Sequence, residues 1–279
     1  MDDAPDKRAA DILPAEIKIV NAWQPFTPRG VAAFAQAPGS RVFFLKAVAA
    51  LVAAAIVIWF INANYSPSIS EAIKNLPDEA SFQNGELTNV SSGVLTQKKF
   101  LSLVVDLEEN GQTGQTADLQ VVLRKNYFEI CSLPGCGYFK YPNENILIGR
   151  STSEPWWGAR QPVILAIIGA LSLAGLWLAW VIFALVYAPI AKLTAYFNDR
   201  PLSWRGSWRL ASAAQMPGAF LMSLAIVLYG LHVFDLIRFI FFFGLHFFVT
   251  WFYIFSAPFS LPRASAASSS PAKNPFGQE

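Results

Sequence analysis

The stretch Pro162–Tyr187, PVILAIIGALSLAGLWLAWVIFALVY, decides the fold because its 26 residues include no charged side chain. A helix needs about 20 apolar residues to cross the hydrocarbon core of a bilayer. Three further apolar runs have comparable length, and they are Phe43–Ile61, Pro217–Phe234 and Phe239–Phe259. The sequence therefore predicts four transmembrane helices, at residues 43–61, 162–187, 217–234 and 239–259.

The first two runs are separated by 100 mostly polar residues, 62–161. Asn84-Gly85 lies between the short strand candidates Ser81–Gln83 and Glu86–Thr88. It is the pair that best tolerates the positive φ angles of a two-residue hairpin turn. Further strand patterns cover Phe100–Asp106, Tyr138–Tyr141 and Ile146–Ile148, and Leu119–Ile130 alternates well enough to be one long strand or two short ones. We expect an α+β membrane protein, with a small extracytoplasmic antiparallel β-rich domain inserted between the first and second transmembrane helices.

The distribution of charge predicts the topology. The net charge is only +2, which argues against nucleic-acid binding. Lys and Arg dominate the chain just before and within the first run, and the segment 189–215 has four of them against one acid, Asp199. Short segments rich in Lys and Arg remain cytoplasmic. We therefore expect both termini and a basic 189–215 loop inside, and domain 62–161 outside.

The two ends of the chain have the composition of tails. Residues 1–40 contain five prolines and little periodic apolar pattern, and residues 260–279 are rich in Ser, Ala and Pro. Such composition is typical of segments without a packed core. Both tails are predicted to be cytoplasmic and largely disordered, with one short helix at most in the first.

Cys131 and Cys136 are the only cysteines, and both fall in the predicted outer domain. A disulfide that closes this short loop is compatible with an oxidising compartment, and two free thiols are the alternative. A zinc site is not expected, because two thiols with no His in the insertion supply only half of a tetrahedral site. We expect no metal and no cofactor.

Trp204-Arg205 and Trp208-Arg209 repeat the same pair at a spacing of four, which puts both indoles on one face of a helix. Indoles flanked by guanidiniums are typical of a helix at the membrane interface. The four residues are therefore predicted to contact lipid. Simple anchoring and recognition of an anionic headgroup are the two interpretations.

Four polar residues surround the last two runs: His232, Asp235, Arg238 and His246. Charged groups at membrane depth are costly and often functional, so one interpretation is an intramembrane polar site. The other is that residues 232–238 form the outer turn between two spans, with Asp235 and Arg238 paired near the headgroups. His246 would then form a hydrogen bond between helices.

Short motifs across the chain carry a family resemblance. They are Leu76-Pro77 followed by Asn84-Gly85-Glu86-Leu87, Val104-Val105-Asp106 at a strand end, Leu119–Ile130, and Arg209-Leu210-Ala211 leading to Met216-Pro217. On these motifs, residues 41–261 resemble a bacterial DUF family of multi-span membrane proteins, sometimes labelled maltodextrin-utilisation protein and related to Yip-type proteins. The resemblance implies an architecture in the bacterial cytoplasmic (inner) membrane, and it supplies no catalytic residues.

The functional hypothesis follows from this architecture. The sequence contains no metalloprotease, nucleophile-elbow, phosphate-loop or dinucleotide signature, so we expect no enzyme. The favoured function is a non-enzymatic accessory or structural subunit that binds a protein or envelope partner through its extracytoplasmic domain and helices, with membrane lipid around it. The alternative is a transporter or permease accessory subunit that uses the His232, Asp235, Arg238 and His246 set, with some support from the family's occasional link to sugar uptake.

Overall fold

The structure, a computed structural model, describes residues 24–108 and 114–263. The helices are α1 Pro28–Ala33, α2 Gly39–Asn64, α3 Ser66–Lys74, α4 Arg150–Phe197, α5 Trp204–Gly230 and α6 Leu236–Ser256. The strands are β1 Ser81–Gln83, β2 Glu86–Thr88, β3 Gly93–Gln97, β4 Leu101–Val105, β5 Leu119–Leu123, β6 Tyr127–Ser132, β7 Gly135–Lys140 and β8 Ile146–Leu147. The predicted tails therefore fall outside the described residues over 1–23 and 264–279.

The helices that contain the four apolar runs are long and apolar enough to cross a membrane. The described strands all lie between α2 and α4 in the chain, which are the first and second of these long helices. The predicted α+β class is thus confirmed.

The chain forms two compact units. The first, here called the alanine-rich unit, has the described residues 24–49, 177–221 and 244–263. The second, here called the strand unit, has the described residues 50–108, 114–176 and 222–243.

Small side chains dominate the core of the alanine-rich unit. Buried alanines on α4 and α5 surround the fully buried Phe34, Leu210 and Ile254. Small residues let helix backbones approach closely, and Gly218 on α5 is an extreme case. A Cβ atom at Gly218 would lie 2.6 Å from the carbonyl oxygen of His246 on α6, so only glycine fits this crossing.

The described part of the predicted tail 1–40 contains the one short helix that the prediction allowed, and it is packed rather than disordered. Residues 28–33 form α1, whose N-cap Thr27 accepts a hydrogen bond from the Gly30 N–H at 3.0 Å. Val31 and Phe34 are fully buried in the core of the alanine-rich unit. The prolines that suggested disorder include Pro28 at the start of α1, a position where proline is favoured because its missing N–H has no partner to lose.

The helices extend beyond the apolar runs, and this changes the predicted 189–215 loop. α4 continues to Phe197 and α5 already begins at Trp204, so only residues 198–203 lie between them. The predicted interfacial helix is the beginning of α5 and not a separate element. Pro217 lies inside α5, which ends at Gly230 rather than at residue 234. Hydropathy marks the apolar part of a helix and not its ends, so the predicted bounds are too short at both ends of α4 and at the start of α5, and too long at the end of α5.

The strand unit contains two sheets, with strand orders β2-β1-β8 and β3-β4-β5-β6-β7. The predicted hairpin at Asn84-Gly85 is confirmed. β1 and β2 pair antiparallel, and the two turn residues have φ angles of 52° and 79°. Leu119–Ile130 forms two strands, β5 and most of β6, rather than one.

The prediction of an antiparallel domain is wrong for one strand pair. β4 and β5 pair in parallel, with Val105 opposite Leu123, while the other pairs in this sheet are antiparallel. Thirteen residues, 106–118, connect β4 to β5. Parallel neighbours need a connection of about a dozen residues, and this segment is long enough to return the chain to the other end of the sheet. Residues typical of turns lie at the start of this connection, and they suggested a short antiparallel connection instead of a parallel one.

The insertion is closed where it joins the helices. β1 pairs with β8, so Ser81 lies opposite Leu147. The Ile148 N–H donates to the Ala80 carbonyl at 2.9 Å, and the Arg150 N–H donates to Pro77 at 3.4 Å. These contacts, here called the clasp, hold the first and last residues of the strand region side by side.

Candidate functional site

Strand β7 of the strand unit lies at one edge of the five-stranded sheet and is exposed along most of its length. Its side chains Tyr138 and Phe139 are 67% and 48% exposed. Cys136 on β7 is joined to Cys131 on β6 by a disulfide, with the Cα atoms 4.1 Å apart. The two strands of this hairpin are therefore fixed to each other next to an open strand edge.

The register of the hairpin shows which backbone groups of β7 face outward. In antiparallel sheets, close Cα pairs of about 4.5 Å are the non-hydrogen-bonded ones. The Cys131–Cys136 pair has this spacing, so the N–H and C=O of Cys136 point away from β6. Because the pattern alternates, the same holds for Tyr138 and Lys140. The edge thus presents three outward pairs of backbone donors and acceptors.

A row of aromatic rings connects this edge to the core. Phe139 stacks on Phe128 at a centroid distance of 5.2 Å, Phe128 lies 5.9 Å from Tyr141, and Tyr141 lies 4.4 Å from Phe82. The Tyr141 hydroxyl donates to the Arg124 carbonyl at 3.0 Å. Burial raises the pKa of the Tyr141 phenol above its usual range, so the hydroxyl stays neutral. The exposed ring of Phe139 consequently rests on a packed support.

A buried ionic cluster stabilises the strands behind this edge. Arg124 and Asp106 are each 8% exposed and form an ion pair, and the Arg124 Nε also donates to Glu129 Oε1 at 3.1 Å. Burial on its own would lower the pKa of Arg124, but the hydrogen bond to Glu129 and the charges of both carboxylates raise it. Arg124 therefore keeps its positive charge, and it has a carboxylate partner in both Asp106 and Glu129. No local pattern in the sequence indicates this cluster.

The predicted lipid-contact residues line one groove in the alanine-rich unit. Its volume is about 460 Å³, and its lining consists of Gly39, Leu185, Ala188, Trp204, Arg205, Trp208 and Arg209. The spacing of four thus brings all four predicted residues together, as the helical pattern indicated. Trp204 is 60% exposed, whereas Trp208 packs partly against the core.

Cations accompany both indoles of this groove. The Lys192 Nζ lies 4.2 Å from the Trp204 ring centroid, and the buried Lys46 Nζ lies 5.7 Å from that of Trp208. Arg209 donates from Nη1 to the Ala37 carbonyl at 2.8 Å, while Arg205 is exposed. The groove is apolar in its walls and cationic along its border.

The predicted polar set is divided between the turn that precedes α6 and α6 itself, which contains Arg238 and His246. His232 has a φ angle of 63° and lies with Asp235 in the segment between α5 and α6. Asp235 Oδ1 accepts the Arg238 backbone N–H at 2.7 Å, and its Oδ2 lies 3.7 Å from the Arg238 Nε. His246 belongs to the alanine-rich unit, where its carbonyl accepts from Thr250 Oγ1 at 3.1 Å. The mutual contact shown within this set is the Asp235–Arg238 pair, and transport through the set stays a prediction.

A second polar cluster in the strand unit had no signal in the sequence. The Tyr229 hydroxyl donates to Asp118 Oδ2 at 2.7 Å, and the Lys99 Nζ donates to the Phe234 carbonyl at 2.7 Å. The Phe100 ring packs edge-on to the Tyr229 ring at 4.8 Å. Residues more than 100 positions apart meet here, which no local pattern could indicate. The cluster ties the strand region to the end of α5 within this unit.

The described residues contain no group of three or more His, Cys, Asp or Glu side chains able to hold a metal ion. No family model, curated protein or solved structure matches this chain.

Proposed function

We propose that this chain is a non-enzymatic integral membrane protein, an accessory or structural subunit that binds a protein or envelope partner. Four helices of sufficient length and hydropathy support the membrane part. Large apolar side chains exposed on α6, such as Phe241, Phe248 and Phe252, suit contact with lipid or with helices of a partner. The resemblance to the bacterial DUF family remains part of this proposal.

The proposed location is the bacterial inner membrane, with both termini cytoplasmic and the strand region outside. In the alanine-rich unit, the short segment 189–215 has four Lys and Arg residues against one acid, Asp199. Cations concentrate on the cytoplasmic side of membrane proteins. The disulfide supports the same orientation, because disulfides persist in oxidising compartments.

The observation that carries the partner function is the open edge of β7. An unpaired edge strand is a template for another strand, and proteins without a use for it usually protect it with charges, proline or a bulge. Lys140 is the only charged residue on β7, and Tyr138 and Phe139 flank the outward backbone groups. The edge suits an extended segment of a partner, which would add a strand and place side chains against these rings.

Site-specific photocrosslinking in intact cells tests this edge. A photoreactive phenylalanine analogue at Tyr138 is expected to give a discrete crosslinked product. The matched control is Gln97, an exposed residue on β3 at the opposite edge of the same sheet, which is expected to give none. Equal products from both positions, or none from Tyr138, would contradict the proposal.

A pair of substitutions at Tyr138 separates the backbone from the side chain. Tyr138→Pro removes an N–H that points away from β6, and proline is tolerated at such edge positions. Tyr138→Ala keeps that N–H and removes the ring. With the photoreactive group at the neighbouring Lys140, we expect Tyr138→Pro to abolish the product and Tyr138→Ala to weaken it. The reverse order would show that the edge does not bind a strand.

The orientation is tested with a membrane-impermeant maleimide on intact spheroplasts. After reduction, Cys131 and Cys136 are expected to react from outside. An added cysteine in place of the exposed Arg205 is expected to react only after the membrane is permeabilised. Labelling with the opposite pattern would refute the proposed topology.

A further inference from the structure

The groove lined by Trp204 and Trp208 combines two chemistries that belong to one kind of ligand. Leu185, Ala188 and the indoles give it apolar walls, and Arg205 and Arg209 supply guanidiniums at the same place. At about 460 Å³ its volume falls in the range of small-molecule sites, about 300–1,000 Å³. A ligand that fills it would need an apolar body and an anionic group.

The charge around the groove selects an anion. Its lining includes two cations and no acid, and Lys192 lies against the Trp204 ring. Asp199 is the single acidic residue among the described residues of the alanine-rich unit. Arg209 uses one N–H on the Ala37 carbonyl and retains others, since a guanidinium has five donors. Guanidiniums match the oxygens of a phosphate better than an ammonium does.

We infer that this groove binds one anionic phospholipid, with its phosphate on Arg205 and Arg209 and the upper part of an acyl chain along Leu185 and Ala188. The inference rests on the proposed membrane insertion, which puts the basic start of α5 at the inner headgroup level. Indoles prefer this level because each has an apolar ring and a polar N–H. A free phosphate would satisfy the cations but leave the apolar walls uncovered, so the lipid is the ligand.

Native mass spectrometry of the full chain in detergent tests the inference. The probes are phosphatidylglycerol and phosphatidylcholine with identical acyl chains. The wild type is expected to retain one phosphatidylglycerol in preference to phosphatidylcholine. Glycerol phosphate, which has the same anionic group without acyl chains, is not expected to displace it. Displacement by glycerol phosphate at similar concentration would overturn the assignment to a lipid.

Two variants alter the groove by independent routes. Arg205→Gln removes one exposed charge and is expected to weaken phosphatidylglycerol binding about five-fold, which corresponds to the roughly 1 kcal/mol per cation found near anionic membranes. Its control is Arg29→Gln, an exposed cation of the same unit outside the groove, with no expected effect. Gly39 lines the groove, and a Cβ at this position meets no atom within 4 Å, so the side chain of Gly39→Leu has room to occupy the groove. Gly39→Ala is its smaller control.

The outcomes separate this inference from the proposed function. If alkaline carbonate releases the chain from membranes, both fail. If the chain stays in the membrane but binds the two lipids equally, or if Arg205→Gln behaves like Arg29→Gln, only the lipid site is wrong. Loss of phosphatidylglycerol preference in Arg205→Gln and Gly39→Leu, with both controls unchanged, supports it.

Discussion

Replacing Asp106 by asparagine should open the strand region locally, because it removes a charge from the buried cluster. Arg124 would keep Glu129 Oε1 at 3.1 Å, so the loss is smaller than the roughly 3–5 kcal/mol for a buried ion left with no partner. A charge-assisted hydrogen bond contributes about 1.5–3 kcal/mol, and we take about 2 kcal/mol for Asp106→Asn.

Hydrogen exchange of the full chain in detergent micelles measures this value. When the structure closes faster than an open amide exchanges, the exchange rate depends on the free energy of local opening. A decrease of about 2 kcal/mol in that free energy raises the exchange rate about 30-fold. The effect should appear in peptides from β4, β5 and β6, because Asp106 directly follows β4, Arg124 directly follows β5 and Glu129 lies on β6. Peptides from the alanine-rich unit should not change, since the substitution removes none of their contacts.

Glu86→Gln is the matched control, because it makes the same carboxylate-to-amide change in an exposed ion pair. Glu86 lies 3.5 Å from the Lys125 Nζ, and the two side chains are 45% and 60% exposed. Such pairs contribute about 0–1 kcal/mol, so exchange should rise by less than about five-fold. Equal effects of Asp106→Asn and Glu86→Gln would refute the reasoning that burial makes the Arg124 cluster important.

Gly218→Ala should lower the melting temperature of the full chain in detergent by an amount equivalent to about 1–3 kcal/mol, because the new methyl would overlap a neighbouring backbone carbonyl. Gly244→Ala is its control, since a Cβ there meets no atom within 4 Å, and an unchanged or higher melting temperature is expected. Tyr141 has a folded pKa above the roughly 10 of the unfolded chain, so the stability it contributes is complete below pH 10 and declines as the pH rises above it. Exchange in β6 should therefore quicken above pH 10 in the wild type and less steeply in Tyr141→Phe, and an identical pH dependence would contradict this. Alkylation should add no mass at Cys131 and Cys136 before reduction and two adducts after it, whereas two adducts without reductant would show free thiols.

Local chemistry explains which parts of the fold the sequence could predict. The Asn84-Gly85 hairpin depends on two adjacent residues that accept positive φ, and the structure has it. The four long helices could be predicted because they depend on continuous apolar composition, which is the same however the helices pack. β3 was missed because its sequence, GVLTQ, is short and does not alternate strictly. Its place in the sheet is decided by its neighbour β4.

The candidate sites likewise include one that a local pattern predicts and others that depend on residues distant in the sequence. The Trp204 and Trp208 pair could be predicted to share a groove because a spacing of four suffices on a helix. The Arg124–Asp106 pair could not be predicted, because the two residues meet only through the parallel register that sets Val105 opposite Leu123. No local pattern in the sequence indicates that β4 and β5 pair in parallel. Tyr229 and Asp118 are separated by 111 positions and meet for the same non-local reason.

Because of the clasp, the strand region is an insertion between α3 and α4 whose two ends lie side by side. Since Ser81 and Leu147 are paired neighbours, the chain enters and leaves the insert at nearly one point. Domains whose two ends lie together are the ones that tolerate insertion and exchange. A different module grafted between α3 and α4 would thus begin and end at the same place, although it would lose the contacts that Lys99, Phe100 and Asp118 make near the end of α5. Recombination could exchange the strand region of such a protein while the apolar helices were inherited unchanged.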